Sequence, residues 1–386
     1  MKRNNAIVYI CVIIITLLLL SMLSIYASAS FKASGFSGKI SAKAAALYEP
    51  TNQSFLYTKN GAARLPMAST TKIMTAIVVA EKCRMDETVI IGPESVGIEG
   101  SSAYLREGDE YTVLELTYAL LLQSANDAAT ALAYYVAGGA TEFADLMNEK
   151  AEMLGLENTH FTNPHGLDDE EHYTCATDLS KIGACLLENQ LLSEIVSTYK
   201  KTFTYGERTR TYINHNKLLL SFDDANGIKT GFTKRCGRCL VGSAMRDGIQ
   251  LICVTLDAPS DWNDQKAMME YGFDVLENAQ ICKRGDFARS VPVLSGSKDS
   301  ISVSAKEDMW IIKEKGELTA VKSINIPRYL IAPINEGDTI GEVIFEVEDR
   351  TYAVEIVANE SASTASRDNI FMKIKKFLDK GTLWKR

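Results

Sequence analysis

The 386-residue chain is short of several things that would each define a class of protein. It has no excess of positive charge: 41 Lys and Arg face 49 Asp and Glu, a formal net charge of −8, which argues against a broad basic face for nucleic acid. Proline (8) and glycine (25) are too few for a collagen. Apolar residues at 46% and charged residues at 23% are ordinary for a globular protein and exclude a wholly disordered chain or a coiled-coil rod. There is no internal repeat, and no Gly-x-Ser-x-Gly of the kind a Ser-His-Asp esterase uses. Cysteine is present eight times, but Cys11 falls in the leader and the other seven, an odd number, lie in a body too long to need a disulfide framework. The one CxxC, Cys236-Gly-Arg-Cys239, lacks a second pair or nearby histidines, and it leads into a strand rather than opening a helix. Neither a metal nor a cofactor is expected.

The start of the chain points to export. Lys2 and Arg3 precede an apolar run from Ala6 to about Ile25, and Ala27-Ser28-Ala29 is a small-residue cleavage pattern. Residues 1–29 are therefore read as a signal peptide. The other end is basic: residues 367–386 carry seven Lys or Arg against Asp368 and Asp379. Ile370, Phe371, Ile374, Phe377, Leu378 and Trp384 fall on one helical stripe flanked by lysines, the pattern of an interfacial helix on anionic lipid. Residues 366–386 are expected to hold the exported protein peripherally on the outer face of the cytoplasmic membrane.

Between these ends, residues 30–283 read as mixed helix and strand. A hairpin is expected over 43–58 and a buried helix from Ser69 to about Lys82. Thr112-Val-Leu-Glu115 is a capping box opening a helix to about Gln123, and another helix follows from about Asp127 to Val136. Strands are expected at 228–231, 239–246 and 249–257, with a tight turn at Arg246-Asp247-Gly248, and then a helix over 264–277. From 284 to 365 short β-rich runs alternate with turns, which suggests a separate all-β domain.

Three motifs carry chemistry. Ser69-Thr-Thr-Lys72 sets a serine and a lysine about one turn apart. A serine hydroxyl needs a base beside it, and a lysine becomes one where burial or nearby positive charge disfavours its ammonium. Ser124-Ala-Asn126 falls between two expected helices, where the serine can relay a proton and the asparagine can hold a substrate amide. Lys229-Thr230-Gly231 lies on a strand whose edge can pair with an extended peptide; Lys229 and Thr230 suit a carboxylate, and Gly231 leaves room for a ligand. His215 is a candidate to line the cleft, and Cys175 sits on a loop expected to border it. His160, His165 and His172 read as loop packing.

Each motif is weak alone, but SxxK, SxN and KTG in that order form the signature of the serine penicillin-recognising enzymes. The longer strings 66–75, 124–129, 162–168 and 227–233 make the chain similar to the D-alanyl-D-alanine carboxypeptidases among the low-molecular-weight penicillin-binding proteins. That resemblance implies an α+β, β-lactamase/transpeptidase-like catalytic domain followed by a small all-β domain. It implies that Ser69 attacks the penultimate D-Ala of a peptidoglycan stem peptide, with Lys72 taking its proton and Ser124 relaying a proton to the leaving amine. Asn126, Lys229, Thr230, Gly231 and Phe232 would bind substrate, with backbone N–H groups of Ser69 and Phe232 forming the oxyanion hole. Stem peptides and β-lactam antibiotics are the implied partners. A DD-endopeptidase and a non-catalytic sensor are the alternatives; a serine β-lactamase is disfavoured because residues 158–175 contain no Glu-x-x-Leu-Asn.

Overall fold

A computed structural model describes residues 35–365, apart from 206–207, 318 and 348–349. The signal peptide read at 1–29 and the basic tail at 366–386 lie outside the described residues. The expected hairpin forms as β1 (Ala44–Glu49) and β2 (Ser54–Lys59). With β3 (Ala225–Thr233), β4 (Gly237–Arg246) and β5 (Ile249–Leu256) it makes an antiparallel sheet of order β2-β1-β5-β4-β3. Asp247 and Gly248 both take positive φ, 51° and 79°, as the tight β4–β5 turn requires. β1 is buried at every residue because it has a strand on each side and helices over both faces.

One face of the sheet carries α1 (Lys72–Lys82), α2 (Val113–Leu121), α3 (Asn126–Ala137), α4 (Ala140–Met153), α5 (Ala176–Glu188) and α6 (Gln190–Ser197). α7 (Asp261–Val275) covers the other face. The capping box is present: Thr112 Oγ1 accepts from Glu115 N, and the Glu115 carboxylate accepts from Thr112 N. Two expectations need correction. The helix does not start at Ser69: residues Ala68–Thr71 form a 3-10 turn, and α1 begins at Lys72. The Thr70 and Thr71 hydroxyls donate to the carbonyls of Met67 and Ala68, bonds that tighten this turn. The helix expected over 264–277 runs instead from Asp261 to Val275, and Leu276–Cys282 is a strand paired with Met309–Glu314. Sequence reading also missed α6, although Asn189 caps it, and the hairpin Lys200–Tyr205/Arg208–Ile213.

Beyond α7 the chain is strand and turn. A six-stranded sheet runs in the order 319–325, 339–347, 350–358, 300–305, 289–294, 330–331, closed over a core of Val291, Val303, Val343, Phe345, Val354 and Ile356. The molecule is thus an α+β domain followed by an all-β one.

Candidate active site

The site forms where the free edge of β3 meets the helical region. In the 3-10 turn side chains three apart eclipse, so Lys72 reaches back over Ser69. Its Nζ lies 2.8 Å from Ser69 Oγ, 2.7 Å from Asn126 Oδ1 and 2.6 Å from the carbonyl oxygen of His165. Lys72 has no exposed surface, whereas Ser69 is half-buried and opens on a cavity. Burial holds the Lys72 pKa well below that of a free lysine; the neighbouring Lys229 lowers it further and Asp127 opposes. A neutral amine has two hydrogens and one lone pair. Asn126 Oδ1 and the His165 carbonyl only accept, so they take the two hydrogens and leave the lone pair for the Ser69 hydroxyl.

Asn126 is held as firmly as the lysine it orients. Its Nδ2 donates to the Glu99 carbonyl, and its own N–H donates to the Ser101 carbonyl at 2.7 Å. Gly100 sits against this amide with φ 93°; a Cβ there would come within 2.8 Å of Nδ2. Asp127 ties down the same loop through Ser102 Oγ (2.6 Å), Ala103 N (3.0 Å) and Leu105 N (3.1 Å). Both polar ends of the Asn126 side chain are therefore engaged inside the protein. Ser124 precedes α3 in a left-handed conformation, φ 61°, which turns it into the cavity wall as a turn, not a helix, allows.

The cavity holds about 340 Å³, and Ser69, Ser124, His215, Lys217, Thr230 and Phe232 contribute to its wall. His215 thus joins the site as the sequence suggested. Its pKa is lowered by burial first and by Lys229 second. Lys229 lies beneath the wall, 1% exposed, with Nζ donating to the Thr230 carbonyl at 2.9 Å; burial brings its pKa down to about 7. Phe232 is 65% exposed on the rim. Arg238 and Trp262, which sequence reading did not single out, also reach the cavity. Arg238 pairs with Asp261 at 2.9 Å and stands over the Trp262 ring at 5.7 Å.

One reading is extended and one changes. Gly231 lines the cavity, as a residue that leaves room for a ligand should, and the side chain it lacks also lets the nucleophile's own turn come close. A Cβ there would stand 3.1 Å from Met67 O, Ser69 N and Thr70 N, so the missing side chain lets β3 and the turn touch. Cys175 does not border the cavity: it is buried as the N-cap of α5, with burial raising its thiol pKa. Cys236 and Cys239 are likewise buried free thiols, pushed up to about 11 and about 12 by burial. Among the described residues no cluster of His, Cys, Asp and Glu suits a metal ion.

Comparison with known proteins follows the same outline. A profile of D-alanyl-D-alanine carboxypeptidase matches residues 29–260, and one of the penicillin-binding protein 5 C-terminal domain matches residues 276–363. The chain is 32% identical over 328 residues to D-alanyl-D-alanine carboxypeptidase DacF of Bacillus subtilis, covering 82% of this chain and 84% of that protein. It is 31% identical over 330 residues to DacC of Escherichia coli, covering 81% and 82%. Among solved structures it resembles penicillin binding protein 5 from Haemophilus influenzae (TM-score 0.63, 27% identity, 86% of this chain and 100% of that one). It also resembles a peptidoglycan synthesis regulatory factor (PBP3) from Streptococcus pneumoniae (TM-score 0.70, 26% identity, 84% and 100%).

Proposed function

The chain belongs to the D-alanyl-D-alanine carboxypeptidase family, and from that membership we propose how its residues carry out the reaction. It is a serine-type hydrolase that releases the terminal D-Ala of peptidoglycan stem peptides. Ser69 is the nucleophile and Lys72 its base, and the observation that carries this is the triple contact of Lys72 Nζ described above. The lone pair takes the hydroxyl proton as Oγ bonds to the carbonyl carbon of the penultimate D-Ala. Backbone N–H groups of Ser69 and Phe232 hold the developing oxyanion, a role worth about 10²–10³ in rate per donor. The C–N bond then breaks, Ser124 relays a proton to the departing amine, and water hydrolyses the acyl-enzyme. Thr230 and Lys229 orient the terminal carboxylate, Thr230 from the wall and protonated Lys229 from beneath it. Asn126, with both amide ends engaged, acts first on Lys72. A β-lactam presents the same carbonyl and carboxylate and acylates Ser69. The test is D-Ala release from a D-Ala-D-Ala-ended muropeptide by the wild type and by Ser69→Ala; release by both, or by neither, defeats the assignment.

Export and anchoring belong to the same reading. The apolar leader at 1–29 and the basic amphipathic stripe at 367–386 support an exported enzyme anchored peripherally on the outer face of the cytoplasmic membrane through that C-terminal stripe. The all-β domain lies between the catalytic domain and that tail. Deleting 367–386 is expected to move the protein to the soluble fraction with activity intact; continued pelleting with membranes contradicts the anchor.

A further inference from the structure

His172 takes no part in the reaction described above, yet it is 3% exposed and joined to the nucleophile's turn by a directed chain of hydrogen bonds. Thr162 N–H donates to His172 Nδ1 at 3.0 Å, so that nitrogen carries the lone pair and Nε2 carries the proton. Nε2–H then donates to Thr71 Oγ1 at 2.7 Å. The Thr71 hydroxyl, having accepted, donates to the Ala68 carbonyl at 2.8 Å. Burial keeps the ring neutral by lowering its pKa to about 4, so the polarity of the chain is constant across ordinary working pH.

The far end of this chain is one side of the peptide bond whose other side is Ser69 N–H. In a trans peptide C=O and N–H point in opposite directions. Fixing the Ala68 carbonyl toward Thr71 therefore aims Ser69 N–H the other way. On that side lies β3 at Gly231, whose missing Cβ would stand 3.1 Å from Ser69 N. Ala68 needs such a hold, because it is a non-glycine residue at φ 47°, a conformation that costs energy unless its surroundings impose it. Gly166 closes over the same carbonyl, with no room for a Cβ, which would fall 2.0 Å from Ala68 O. A hydrogen bond accepted by a carbonyl also polarises the N–H of its own amide.

We propose that His172 and Thr71 are positioning residues for the oxyanion hole: their chain holds the Ala68 carbonyl and thereby aims Ser69 N–H at the oxygen of the carbonyl under attack. The inference rests on Ser69 being the nucleophile, and prolonged titration with a radiolabelled penicillin tests that separately by counting acylated Ser69. Thr71→Val keeps the shape and removes the hydroxyl, while Thr71→Ser keeps the hydroxyl. A tilted N–H loses strength steeply, so Thr71→Val is expected to lower kcat for D-Ala release about ten- to a hundredfold, up to the low end of the roughly 10²–10³ for losing one such donor outright. KM should move less than about twofold. The same factor should appear in penicillin acylation, in hydrolysis of the acyl-enzyme and in affinity for a tetrahedral boronic acid, because one hole serves all of them. Thr71→Ser should restore all of them. His172→Leu should resemble Thr71→Val, and the double variant should be no worse than either alone. The proposal is overturned if Thr71→Val keeps wild-type kcat per titratable site, if Thr71→Ser is equally impaired, or if the two losses multiply. A variant that titrates normally and merely melts earlier likewise overturns it.

Discussion

Replacing Asn126 by aspartate is the sharpest test of Lys72 as the base, because it changes charge at the site with little change in shape. The new carboxylate oxygen would lie about 2.7 Å from Nζ, where Asn126 Oδ1 now sits. At an effective dielectric constant of about 20 the attraction of two unit charges at that distance is roughly 6 kcal/mol. Much of it is consumed in desolvating the new carboxylate, and a neighbouring opposite charge ordinarily shifts a pKa by about 1–3 units. The sign follows from which form works. Neutral lysine is the base, so a stabilised ammonium removes it. The acidic limb of kcat/KM should move up by about 1–3 units, which at a fixed pH on that limb is on the order of a 10- to 1,000-fold loss. Activity should return as pH rises through the new pKa. Aspartate also turns an acceptor toward the Glu99 carbonyl, where Nδ2 now donates. That contact costs about 1–3 kcal/mol, but it shows as a lower Tm and not as a moved limb. The assay is D-Ala release between pH 5 and 10 with matched melting curves. A loss of equal size at every pH would refute this account, and would assign Asn126 to the substrate amide instead of to Lys72.

Gly231→Ala should abolish most of the D-Ala release and penicillin acylation while the protein stays folded, because its Cβ meets three backbone atoms of the nucleophile's turn at 3.1 Å; the overpacking itself should cost about 1–3 kcal/mol in denaturant unfolding. An alanine variant with wild-type acylation would mean that the turn and β3 need not touch. Stability should fall in acid, since burial holds His165 at about 3 and His172 at about 4. An unfolded histidine titrates near 6.5, so the unfolded chain binds more protons between that pH and about 3–4, and the stability contributed above pH 6.5 is lost across the window. His165→Gln should flatten this dependence, and an unchanged slope of unfolding free energy against pH would show that His165 titrates normally. Lys229 acts at the other end: its pKa of about 7 makes stability rise with pH from there toward 10.5, and Lys229→Met should reduce that rise to the part contributed by buried Lys72.

Much of this protein was written locally. The Thr112–Glu115 capping box, the Asp247-Gly248 turn and the run of small and apolar residues in α1 are short-range signals, and the corresponding elements form as their chemistry asks. The order SxxK, SxN, KTG likewise named the residues that the fold brings to one cavity. Ser69, Ser124, Thr230, Gly231 and Phe232 line it, Lys72 and Asn126 stand behind Ser69, and Lys229 supports it from below. Element ends were less legible. The stretch after Val275 continues a helical pattern, but its partner strand at 309–314 is over 30 residues away, and that pairing ends the helix.

What tertiary structure alone decided is which groups are already occupied. No motif shows that Asn126 is spent on Lys72 and Glu99, because one of these partners is 54 residues away and the other is a backbone carbonyl. Two of the contacts that set the base are carbonyls, of His165 and Glu99, and a carbonyl is the same in every residue type. That Gly231 faces both the cavity and the nucleophile's turn depends on which surfaces β3 meets. Lys72 is a base only once burial has removed water from its ammonium. A sequence supplies the groups and their local spacing; desolvation and long-range hydrogen bonding exist only once the chain has closed around them.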